Sequence, residues 1–183
     1  MERGMDFLRS QVANAVMQHD TFLESLIDHE KQAEDPRFRD LCSKNIPMMR
    51  EHQHTLEDYA RQIGAEKGGA KKVLGKALAA AKGLADSARE SDYLRLVEDI
   101  VMARQSEDTF KTFREAGKML GNQQLQQIGD HGERGHDEYV RDANRLVQQI
   151  FVEHVRGTTA SDIAATTTPR TTPPRTDEPR TSL

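Results

Sequence analysis

The chain has no tryptophan, few aromatic residues of any kind and a single cysteine, Cys42. One thiol cannot form an intramolecular disulfide framework, so a reducing compartment is the natural setting. No stretch approaches the ~18 consecutive apolar residues of a membrane span, and the opening "MERGMDFLRS" has no apolar core of a secretory signal. A cytoplasmic protein is expected. The formal net charge of −4 leaves no broad basic field of the kind that binds nucleic acid. There is no glycine-rich phosphate loop and no nucleophile elbow, so nucleotide-dependent and serine-hydrolase chemistry lack their usual scaffolds.

What remains suits a helical domain. Of 183 residues, 36% are hydrophobic and 31% charged, enough for one domain with a real core. Four long helical segments follow: Met5 to Ala33, Pro36 to Ile63, Ser91 to Leu120, and the residues after Asn122 to His154. Asp35 is placed to cap the second, with Pro36 in its first turn, and Gly64 follows its end. Asp86 or Ser87 is a candidate cap upstream of the third, which stops at Gly121 and Asn122. Each segment is about thirty residues, or about 45 Å long.

The connections are unequal. Those near Pro36 and Asn122 are short, whereas "GAEKGGAKKVLGKALAAAKGLADSA" is long. Within it Val73, Leu74, Ala77, Leu78 and Ala81 form a short amphipathic helix ringed by Lys71, Lys72, Lys76 and Lys82. Two short turns and one long connection describe two helical hairpins joined by a crossover, an all-α four-helix bundle over residues 1–156. A basic helix for a membrane surface or a partner is the other reading of that segment. From residue 157 onward Thr, Pro and Arg dominate, so 157–183 reads as a disordered tail that could end in a docking peptide for a partner protein.

Each helix carries a seam at steps of three and four. The first reads Leu8, Val12, Ala15, His19, Phe22, Leu26, Glu30, Ala33. The second reads Phe38, Cys42, Asn45, Met49, His52, Leu56, Tyr59, Ile63. The third reads Leu96, Asp99, Ala103, Ser106, Phe110, Phe113, Gly117, Leu120, and the fourth Leu125, Gly129, Gly132, His136, Tyr139, Ala143, Leu146, Ile150. The polar interruptions carry the information. His19 lies about 16 residues before the first turn and His52 about 17 after it; Glu107 lies about 14 before the second turn and His136 about 15 after it. All four therefore meet near the midplane.

Three level histidines with carboxylates nearby suit a transition-metal site. Glu133 and His136 share one face at i and i+3, and the small residues Ser106 and Gly132 leave room for Glu107 and Glu133 to turn inward. The expected ligands are His19, His52, Glu107, Glu133 and His136. Glu51 and His54 have the same i, i+3 spacing, but the seam turns both toward solvent. His29, His131 and His154 read as surface or end positions, and Cys42 as an inert buried thiol. A hydrogen-bonded layer fixing helix register is the competing account of the three histidines, and it goes with a non-enzymatic helical assembly module.

Three stretches resemble the ferritin-like superfamily, and within it the YciE/YciF-type ferritin-like proteins of bacterial stress responses: "DPRFRDLCSKNIPMMREHQHTL", "GKALAAAKGL" and "SEDTFKTFREAGKMLGN". The resemblance spans about residues 5–155. It implies a four-helix bundle with a central, binuclear or altered iron site, manganese and zinc being further options, a role in oxidative or general stress, and a homo-oligomer. If the ion is redox-active, the implied chemistry is of ferroxidase or peroxidase type. By position the helix-one ligand falls on His19, the helix-three ligand on Ser106 or Glu107, and the helix-four acidic cluster on Glu133 and Asp137. Di-iron sites of this class use about four carboxylates and two histidines. Here helix one offers a histidine and helix two no seam carboxylate, so a histidine-rich mononuclear site stays open beside the binuclear one. "QHDTFLE" and "EHQHTLEDY" also resemble hemerythrin-like domains, which place histidines on helix three; this chain has none between His54 and His131.

Overall fold

A computed structural model describes residues 2–65 and 91–156. They form four helices: α1 (Glu2–Gln32), α2 (Pro36–Ile63), α3 (Asp92–Leu120) and α4 (Gln123–Arg156). The architecture is the expected all-α four-helix bundle. The amphipathic segment at 71–82, the expected caps Asp86 and Ser87, and the Thr/Pro/Arg-rich tail lie outside the described residues.

The helix ends follow from local chemistry. Asp35 is extended at the N-cap of α2 and its carboxylate accepts the Arg37 N–H at 2.8 Å, with Pro36 supplying the preset φ of the first turn. Gly64 and Gly121 adopt left-handed φ of 68° and 66°, where a Cβ would be strained. Past each, an N–H returns to a carbonyl five residues back, Ala65 to Ala60 and Asn122 to Gly117, both at 2.8 Å. Asn122 then opens α4, its Oδ1 accepting the Leu125 N–H at 3.0 Å while its Nδ2 donates to Tyr59 Oη at 3.0 Å. Ser91 is the N-cap residue of α3, without a side-chain bond to the helix. Pro47 removes one N–H inside α2 without ending it.

The helices pack in a square in which α1 adjoins α2 and α3, and α4 adjoins α2 and α3. Contacts set their directions. Arg95 donates to Gln32 O while Ser25 and His29 meet Asp99, so α1 and α3 are antiparallel. Arg37 pairs with Glu153 and Lys44 with Asp142, so α2 and α4 are antiparallel too. It follows that α2 and α3 run the same way, and that the end of α2 and the start of α3 lie at opposite ends of the bundle.

The core falls into two apolar clusters. One gathers Phe22, Leu26, Phe38, Met49, Leu96 and Tyr139; the other gathers Val12, Val16, Leu56, Tyr59, Phe110 and Leu125. His19 and His136 are buried where the two meet.

Two positions depart from the seams. Leu120 is 70% exposed, because Gly117 is the last buried residue of α3 before the chain turns away. His29, expected at the surface, is buried, and Glu30 instead turns toward Ser43 at the periphery. The cause lies across the bundle. Asp99 is fully buried, and its carboxylate accepts from His29 Nδ1 at 2.9 Å, Ser25 Oγ at 2.9 Å and Tyr139 Oη at 3.3 Å. A buried carboxylate needs such donors, and His29 supplies one. No described helix is long and apolar enough to cross a membrane.

Candidate metal centre

His19, His52 and His136 come together at the midplane, each offering a ring nitrogen within 4.8 Å of the other two. They arrive from α1, α2 and α4. His19 and His136 are fully buried, and His52 stands at the edge of the group, half-buried. Phe110 from α3 packs against all three rings, with centroids 5.0 Å from His136, 5.7 Å from His19 and 6.1 Å from His52. Phe22 packs on His136 at 5.6 Å.

Hydrogen bonds fix two of the imidazoles. Glu57 accepts from Gln53 Nε2 at 3.1 Å, which turns Gln53 Oε1 toward His19 Nδ1 at 3.0 Å. A carbonyl oxygen only accepts, so Nδ1 carries the proton and Nε2 the lone pair. The same reasoning holds for His136, whose Nδ1 donates to Gly132 O at 2.7 Å. The nitrogens left over, His19 Nε2, His136 Nε2 and His52 Nδ1, are buried without a partner. Each such atom costs about 1–3 kcal/mol of stability.

Electrostatics keep the group uncharged. Burial, and then the neighbouring His52, bring His19 down to about 4 against the upward pull of its Gln53 bond. Burial brings His52 to about 4 as well, with Glu51 opposing and His131 assisting. His136 is held well below the usual histidine range by burial and by His19. At neutral pH the site is three neutral imidazoles with unshared lone pairs, the protonation state a metal ion requires.

Of the five residues expected as ligands, the structure brings together His19, His52 and His136. Glu107 and Glu133 stand outside that group: Arg104 donates to Glu107 at 2.9 Å, and Arg114 holds Glu133. The room at Gly132 is taken by an aromatic ring, since a Cβ there would lie 2.2 Å from Phe110 Cδ1. Glu51 and His54 are exposed, as the seam required.

Two contributors escape the seam pattern. Gln53 is off the seam but buried, and only its position opposite His19 marks it. Gly135 matters through what it lacks, because a Cβ at 135 would come within 2.5 Å of His52 Cε1 and 3.0 Å of Met48 Sδ. Beside these residues a cleft of about 250 Å³ opens to solvent and has His52 in its wall.

The donor set fits a borderline divalent ion. Neutral imidazole suits zinc, iron, copper and nickel, and three such ligands with one position left open is a known catalytic zinc arrangement. Metal–nitrogen bonds of about 2.0–2.1 Å would need the three nitrogens closer together than the 4.8 Å within which they lie. Comparison with protein-family models, curated proteins and solved structures finds no match to this chain.

Proposed function

We propose that this chain is a metal-binding four-helix bundle that holds one divalent transition-metal ion, iron(II) or zinc foremost, on His19, His52 and His136. The observation that carries the reading is the convergence of three buried, unpartnered imidazole nitrogens from three helices. Folding gives up stability to leave them unpaired, and metal coordination returns far more than it gives up: apparent binding energies at structural zinc sites reach about 10–16 kcal/mol. With carboxylates held elsewhere by arginines, the reading favours a mononuclear imidazole site over a carboxylate-rich binuclear one. An ion held this way keeps an open position, which is what the proposed iron-linked stress chemistry with oxygen or peroxide requires.

Elemental analysis of protein purified from cells supplied with iron and zinc tests the proposal. The expected result is about one ion per chain, lost when His19 and His136 are both replaced by Leu. Full metal content in that double variant would overturn the assignment. A metal-free wild-type protein would favour the helical assembly reading, with the imidazoles serving helix register.

A further inference from the structure

Helix α3 brings no histidine to the site, yet it is not silent there. Among the described residues, five buried side-chain atoms lack a hydrogen-bond partner: Gln18 Nε2, His19 Nε2, His52 Nδ1, Ser106 Oγ and His136 Nε2. An amide N–H group such as Gln18 Nε2 only donates and cannot bind a cation. The other four come one from each helix.

They also share a level. Across the α3–α4 hairpin, Gly117 lies against Gln126, Gly129 against Arg114 and Gly132 against Phe110. Extending that antiparallel register by one turn sets Ser106 opposite His136. Across α1 and α2, His19 meets Gln53, the neighbour of His52. Between α2 and α4, His52 packs on Gly135, the neighbour of His136. All four unpartnered groups thus fall within about one helical turn, ~5 Å, along the bundle. Ser106 is 2% exposed and sits on the inward row with Ala103, Phe110 and Phe113; Phe110, one turn on, touches all three imidazoles.

Its hydroxyl is also out of the ordinary locally. Thr21, Thr55, Thr109 and Thr112 each donate to the carbonyl four residues back. That outlet is open to any helical hydroxyl, and Ser106 does not take it.

We propose that Ser106 lines the fourth side of the cation site, its Oγ facing the position that the three imidazoles leave open, so that each helix supplies one group. This rests on the three-imidazole reading above. A neutral hydroxyl is a weaker donor than imidazole toward these ions, so Ser106 shapes the fourth position and the histidines retain the ion.

Cobalt(II) is the probe, added to the full chain, with circular dichroism confirming helix content in each variant. Cys42 belongs to one apolar half of the core, so wild-type protein is the blank for thiolate absorption. Ser106→Cys is expected to add a thiolate-to-cobalt charge-transfer band in the near ultraviolet and to tighten cobalt binding by about tenfold or more. Ser106→Ala is expected to keep cobalt, with its visible bands shifted. A cobalt-loaded Ser106→Cys protein without that band, and with affinity within about twofold of wild type, would overturn the role of Ser106 while leaving the three histidines standing. Wild-type protein that takes up no cobalt would overturn both.

Discussion

His19 Nδ1 stands 3.0 Å from Gln53 Oε1, and this contact decides which nitrogen of His19 is free for a ligand. Gln53 is itself oriented by Glu57, so the tautomer is set by two hydrogen bonds in series, one within α2 and one from α2 to α1. Supporting partners of this kind typically change metal affinity by about 10–100-fold. Gln53→Leu is expected to weaken metal binding within that range, and to lower the stability of the metal-free protein by about 1–3 kcal/mol because Nδ1 loses its acceptor. Metal titration and denaturant unfolding measure the two effects separately.

The glycines of α3 and α4 are not equivalent, and alanine substitution separates their roles. A Cβ at Gly129 would lie 2.2 Å from the Arg114 backbone nitrogen, which cannot move aside. Gly129→Ala is expected to force the two helices apart and to destabilise by about 3 kcal/mol, at the upper end of overpacking costs. A Cβ at Gly135 meets the movable ring of His52 and the tip of Met48. Gly135→Ala is expected to cost less stability but to displace His52, with about a tenfold loss of metal affinity. Thermal unfolding and metal titration of the pair check this inversion.

Much of this was legible from spacing. The three-and-four seams place His19, His52 and His136 inside, and counting residues from each turn sets them at one height; both results depend only on helix geometry. What pairs laterally does not follow from spacing. Glu107 and Glu133 lie on the seam's flank, and Arg104 and Arg114 reach them there. His29 looks superficial until Asp99, 70 positions away, is seen to need a donor. Gln53 and Gly135 act through the distance between helices, which no single helix records.

The carboxylates give a direct contrast. Because Arg104 and Arg114 hold Glu107 and Glu133 outside the imidazole group, Glu107→Gln and Glu133→Gln are expected to leave metal content unchanged. Their effect on stability is expected to stay within about 1 kcal/mol, as for ion pairs near the surface. Elemental analysis and thermal unfolding decide the matter, and loss of metal in either variant would restore that carboxylate as a ligand.

Acid stability reports on the buried imidazoles. In the unfolded chain each takes up a proton near pH 6.5, whereas in the fold His19 and His52 do so only near 4 and burial holds His136 well below its ordinary range. Between those limits the unfolded state binds more protons, so stability falls as pH falls, by about 1.4 kcal/mol per pH unit for each imidazole; above about pH 7 none of this loss occurs. Asp99 titrates in the opposite sense, since burial pushes its carboxyl upward. His136→Phe is expected to flatten the decline between pH 6.5 and 4 in metal-free protein, as read by denaturant unfolding at several pH values. For the same reason metal affinity is expected to stay nearly level from pH 8 to 6, because protons compete for these nitrogens only in more acid solution.

The most direct measurement is X-ray absorption at the metal edge of zinc- or iron-loaded protein, compared with His52→Ala. The account predicts three imidazole nitrogens at about 2.0–2.1 Å around one ion per chain, and two in the variant. A shell dominated by carboxylate oxygen, or the same imidazole count with and without His52, would contradict it.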